Sequence, residues 1–149
     1  MELISKNKKA LFKYEILEKF EAGISLIGQE VKSIKLGRIN LAGSYAVLKN
    51  EEAFLIGAKI PPYQPKNAPK NYDSERLRKL LLKKSEIKYL IGKTKQKGLT
   101  IVPLSVYNKR GRIKIEIALV RGKKEIDKRE TIRKRETERE MERELKQRG

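Results

Sequence analysis

The alternation of hydrophobic and polar positions predicts a mainly β protein with helices inserted between strands. Tyr14 to Phe20 mixes apolar and polar residues and ends at Ala22-Gly23. Ile24 and Leu26 then alternate with Ser25, predicting a strand, a turn and a second short strand. From Glu30 to Leu36 the apolar Val31 and Ile34 stand at i, i+3 and Gly37 follows, the pattern of a short helix with a glycine stop. Ser44–Leu48 and Ala53–Ile60 predict two strands joined through the polar Lys49-Asn50-Glu51-Glu52.

Pro61, Pro62, Pro65 and Pro69 make the segment to Asn71 irregular. Asp73-Ser74 supplies capping side chains for a helix over 75–82, with Leu77, Leu80 and Leu81 on one face. Three consecutive leucines cannot all point into one core from a helix, so one is expected at the surface as a packing contact for a partner. A further helix is expected from Ser85, burying Ile87, Leu90 and Ile91 and ending by Gly98. Strands Leu99–Tyr107 and Arg112–Leu119 flank the basic turn Asn108-Lys109-Arg110-Gly111. Six short strands and about three short helices fit a small antiparallel six-stranded barrel, whose closure removes exposed edges. A doubly wound α/β fold is disfavoured, because strands and helices do not alternate regularly and no strand leads into a Gly-rich phosphate loop.

Composition sharpens this picture. The 149 residues carry 37 Lys+Arg against 19 Asp+Glu, a formal charge of +18. Apolar material at 38% suffices for one core, so residues 1–120 are expected to form one domain. Residues 121–149 hold 12 Lys+Arg and 8 Asp+Glu, too polar for a core of their own. Opposite charges at i, i+3 there (Glu130–Arg133, Glu136–Arg139, Glu140–Arg143) predict a conditional helix; a solvated extension without a role fits the same composition. With no Cys and no His, disulfides, thiol nucleophiles, cysteine metal sites and His-based triads are excluded. The isolated carboxylates Glu30, Asp73 and Glu116 have no magnesium-site spacing, so no catalytic or metal site and no cofactor are expected. Met1–Lys9 contains no long apolar run and no stretch approaches 18 apolar residues, so a cytoplasmic protein is expected. The scattered positive charge favours nucleic acid over membrane as partner.

Four constellations suit RNA. Asn7-Lys8-Lys9-Ala10 with Lys13 pairs an amide with cations, although a disordered solubilising terminus explains these charges equally well. Glu21 beside Gly23, at an expected turn, could accept from a base edge or be ordinary surface. Lys32 and Lys35 lie at helical spacing beside Ser33, with Glu30 either in the same interface or stabilising the helix. Arg76-Leu77-Arg78-Lys79-Leu80-Leu81-Leu82-Lys83-Lys84 has more cationic density than solubility requires. The six tyrosines either stack on bases or fill the core.

Taken together, Asn7-Lys8-Lys9-Ala10 with Tyr14, Phe20-Glu21-Ala22-Gly23-Ile24, Gly28-x-Glu30-Val31-Lys32-Ser33, Arg76-x-Arg78-Lys79-Leu80-Leu81-Leu82 and Gly122-Lys123-Lys124-x-x-Asp127-Lys128-Arg129 closely resemble the SsrA-binding protein (small protein B) family. The five blocks stand in the family's order across nearly the whole chain. The resemblance implies an oligonucleotide-binding-type barrel acting in the bacterial cytoplasm, without enzymatic activity and as a monomer. Its role would be to carry the tRNA-like domain of transfer-messenger RNA to stalled ribosomes in trans-translation. Elongation factor Tu and alanyl-tRNA synthetase are implied only indirectly, through the charged RNA. The resemblance implies RNA contacts at Asn7, Glu21 and Leu81, with the basic Lys8, Lys32, Arg78 and Lys79 alongside; Gly23, Ser33 and Lys35 join the expected RNA-binding set from the constellations above. It also implies a tail disordered off the ribosome and helical in the empty messenger channel, with Gly122, Lys123, Lys124, Ile126, Asp127, Lys128 and Arg129 as its ribosome contacts. Many members carry an aromatic residue or His where this chain has Ile126.

Overall fold

A computed structural model describes residues 1–123 and 128–148, with side chains described from 135 to 146 in the second segment. In chain order the elements are β1 (Glu2–Lys6), α1 (Lys8–Lys13), β2 (Tyr14–Ile24), α2 (Gly28–Lys35), β3 (Tyr45–Lys49), β4 (Glu52–Ile56), β5 (Arg78–Leu81), α3 (Lys84–Thr94), β6 (Leu99–Lys109), β7 (Arg112–Gly122) and α4 (Lys128–Arg148). The strands pair antiparallel in the order β1-β6-β3-β4-β5-β2-β7, and a further pairing of β6 with β7 closes six of them into a ring. The seventh, β1, pairs with the second half of β6, leaving the first half to meet β3 at Ala46↔Ile101.

Side-chain alternation divides the apolar residues between the two faces of these strands. Ala22, Ile34, Ala46, Leu55, Leu80, Leu90, Ile101, Ile115, Ile117 and Leu119 fill the first core. Their neighbours Tyr45, Phe54, Ile56, Val102, Ala118 and Val120 form a second cluster with Ala10 of α1 and Met141 of α4. The β3–β4 and β6–β7 hairpins turn through Asn50-Glu51 and Arg110-Gly111, all four at positive φ, the backbone that lets a two-residue loop follow the strand twist.

The structure departs from the sequence reading in four places. Residues 78–81 form strand β5 rather than part of a helix: Arg78 and Leu80 point inward while Lys79 and Leu81 point out, and the strand bonds to both β4 and β2. Gly23 is not a turn, because β2 runs unbroken to Ile24 with Gly23 opposite Leu81. The N-terminus is ordered: Asn7 caps α1 by accepting from the Ala10 N–H. Finally, β7 continues to Gly122, which pairs with Tyr14. Beyond it the chain continues in α4, part of which is seated on the body. Met141 is buried and Leu145 packs beside it, an apolar contact made with the body and not within the tail.

Candidate nucleic-acid interface

β2 and β5 place Glu21, Gly23, Lys79 and Leu81 on one outer face. Lys19, Glu21 and Gly23 alternate outward along β2 while Phe20, Ala22 and Ile24 turn to the core. On β5 the same alternation exposes Lys79 and leaves Leu81 53% exposed. A Cβ added at Gly23 would stand 3.2 Å from the Leu81 Cβ, so the glycine is the floor on which the leucine rests. Lys79 is half-exposed and reaches Glu52 at 3.7 Å, a surface pair that leaves its ammonium accessible.

Glu21 is held from across β7. The Tyr107 hydroxyl donates to its Oε2 at 2.5 Å, and Lys109 Nζ lies 3.2 Å from Oε2 and 3.3 Å from Oε1. The Tyr107 hydrogen bond, working against desolvation and helped by Lys109 and Lys114, holds the Glu21 carboxyl below its usual range. Burial and the hydrogen bond to Glu21 push the Tyr107 phenol far up, so it stays a donor. The face therefore presents a fixed anion beside an apolar side chain within a strongly basic protein. Such a carboxylate can accept from base-edge N–H groups, and the leucine can pack on a base or ribose.

Four residues weighed for the interface lie behind it. Arg78 is fully buried: its Nη2 meets Glu30 Oε2 at 2.5 Å and its Nη1 donates to the Ala58 carbonyl at 2.8 Å. A guanidinium so enclosed offers nothing to a phosphate, so Arg78 is corrected to an internal anchor. Glu30 also accepts from Arg76 at 2.6 Å, from the Tyr72 hydroxyl and from the Ile27 N–H, which makes it a helix-capping and core residue. Ser33 is buried and donates to the Pro61 carbonyl at 2.7 Å. Asn7 is 5% exposed, its amide donating to the Leu41 and Pro103 carbonyls, so its polar atoms are spent inside the protein. These side chains fix α1, α2 and β5 rather than face solvent.

The remaining cations are spread over the body. Lys8 is exposed on α1; Lys32 and Lys35 are exposed on α2, with the Lys32 ammonium 5.6 Å from the centre of the Tyr63 ring. Of the tail residues, Gly122 ends β7, and the exposed Lys123 donates its backbone N–H to Lys13. Lys124, Ile126 and Asp127 lie outside the described residues, as do the side chains of Lys128 and Arg129, whose backbone belongs to α4. No sequence signal pairs Tyr107 and Lys109 with Glu21. They lie 86 and 88 residues away in sequence, and only the β2–β7–β6 register brings them together. Among the described residues no group of three or more His, Cys, Asp or Glu could hold a metal ion, and no described helix is long and apolar enough to cross a membrane.

The fold and this face define a small, strongly basic antiparallel-ring protein with inserted helices. The chain belongs to the SmpB protein family, whose model matches residues 4–147. It is 53% identical over 144 residues to the SsrA-binding protein of Acaryochloris marina, covering 97% of this chain and 94% of that one. Against the SsrA-binding protein of Trichodesmium erythraeum the identity is 51% over 145 residues, covering 97% and 93%. A chain in a solved structure described as "tmRNA-SmpB: a journey to the center of the bacterial ribosome" superposes with a TM-score of 0.68 at 46% identity, over 83% of this chain and 87% of that one.

Proposed function

We propose that this protein is a non-enzymatic adaptor of trans-translation. Its body binds the tRNA-like domain of transfer-messenger RNA, and the segment beyond β7 acts in the empty messenger channel of a stalled ribosome. The observation that carries the reading is the pairing of an ionised, anchored Glu21 with the exposed Leu81 on one face of a family member of charge +18. Glu21 supplies selectivity by accepting from base edges, Leu81 supplies apolar contact, and Lys8, Lys32, Lys35 and Lys79 supply phosphate attraction. Positioning, with no bond made or broken, is the whole of the chemistry.

If several phosphates are neutralised, affinity for a tRNA-like domain RNA falls by roughly 10³-fold between 50 and 200 mM salt. A titration across that range tests the reading. Affinity independent of salt contradicts it.

A further inference from the structure

We infer that Tyr107 is a positioning residue for RNA recognition, fixing the Glu21 carboxylate so that Oε1 faces N–H donors on an RNA base edge. The inference rests on the proposal that Glu21 contacts RNA, and adds to it the group that gives this carboxylate one orientation. A glutamate on a strand edge ordinarily samples several rotamers, and each bond it makes to RNA then costs the entropy of ordering it. Here the carboxylate is ordered beforehand.

The geometry assigns separate roles to its two oxygens. Oε2 accepts from the Tyr107 phenol at 2.5 Å and lies 3.2 Å from Lys109, whereas among the described residues Oε1 has only the Lys109 contact at 3.3 Å. Lys109 is 45% exposed in its side chain and can swing away, so Oε1 is the atom free for a ligand. Tyr107 cannot move in the same way: it is 4% exposed and lies on β6 opposite Lys114, with Leu3 of β1 on its other side. Its ring is buried in the wall and its hydroxyl donates to Glu21.

The charged surroundings of the carboxylate agree with this division. Glu116 sits directly opposite Glu21 in the β2–β7 register and would repel it, while Lys109 and Lys114 attract it. A phenol that stays protonated donates to the carboxylate whatever these neighbours do, and holds it in place when RNA phosphates draw the lysines away.

The test is a double-mutant cycle on the full chain with Tyr107→Phe and Glu21→Ala, read as affinity for a tRNA-like domain RNA, together with a ¹³C-carboxyl titration of Glu21. Tyr107→Phe keeps the ring and the wall. Expected are a loss of roughly tenfold in affinity for Tyr107→Phe alone, no further loss when it is added to Glu21→Ala, and a rise in the Glu21 pKa. Unchanged affinity or an unchanged Glu21 titration in Tyr107→Phe would overturn the inference, as would a full additional loss in the Glu21→Ala background. If Glu21→Ala itself binds as tightly as the parent, the contact proposed for Glu21 fails and the inference falls with it, a result distinct from the other three.

Discussion

Glu30 in the first turn of α2 and Arg78 in β5 form an ion pair with both side chains fully buried, Nη2 to Oε2 at 2.5 Å. The pair ties the helix after β2 to the strand that carries Leu81, and Arg76 and Tyr72 complete the carboxylate's shell. It underlies the candidate interface without belonging to it.

Removing one member leaves the other as an uncompensated buried charge. Glu30→Gln is expected to destabilise the protein by about 3 kcal/mol, measured by urea unfolding. Replacing Glu30 and Arg78 together by methionine should cost less than the two single replacements summed. Additive losses would show that the two charges do not depend on each other.

The same carboxylate sets an acid limit. Burial raises its pKa, but bonds from Arg76, the Ile27 N–H and Arg78 outweigh that and hold it below the ordinary value of 4.5. The unfolded chain therefore binds the proton more readily than the folded one. The stabilisation is complete above pH 4.5 and is lost as pH falls through the depressed folded value. Unfolding free energy measured from pH 6 downward should decline below about pH 4.5, more steeply in the parent than in Glu30→Gln.

Leu81 separates binding from folding. Because its side chain already faces solvent, Leu81→Glu should change stability by less than about 0.5 kcal/mol. Affinity for a tRNA-like domain RNA should nevertheless fall by roughly tenfold or more. Gly23→Ala should act in the same direction, since its methyl group would meet Leu81 and displace it. Calorimetry and fluorescence anisotropy on the same samples distinguish the two effects.

Docking of α4 makes a further expectation. Met141 is 3% exposed against Tyr45, Phe54 and Val102, and Lys49 pairs with Glu142 at the rim. Met141→Glu should release the helix, raising amide exchange throughout α4. Lys49→Ala should do little, because an exposed pair contributes at most about 1 kcal/mol. Ending the chain after Lys123 should leave RNA affinity nearly intact while abolishing ribosome rescue. A comparable loss of RNA binding would show that body and tail do not divide the work.

Much of the ring was legible because its hairpins carry local signals: Asn50-Glu51 and Arg110-Gly111 sit between runs of the right length. β5 was not, since Arg78-Lys79-Leu80-Leu81 fits both a helical and an alternating template. The choice is made by pairing to β2 and β4 and by the distant Glu30. Gly23 reads as a turn in sequence, yet its service is to make room for Leu81. The exposure of one leucine in the Leu80-Leu81-Leu82 run was expected, but strand alternation is its cause. Cationic density could not reveal that Arg78 is buried, because composition does not say which carboxylate a cation will meet. Asn7 and Ser33 went the same way: their hydrogen bonds to Pro103 and Pro61 span 96 and 28 residues.

The most direct test of the central claim is a competition assay at physiological salt. The full chain is offered a transfer-messenger RNA tRNA-like domain, an ordinary elongator tRNA and an unstructured oligonucleotide. A fixed Glu21 beside Leu81 on the β2–β5 face predicts clear preference for the tRNA-like domain, lost in Leu81→Glu. Equal binding of all three would mean that the net positive charge alone acts, and would contradict specific recognition by this face.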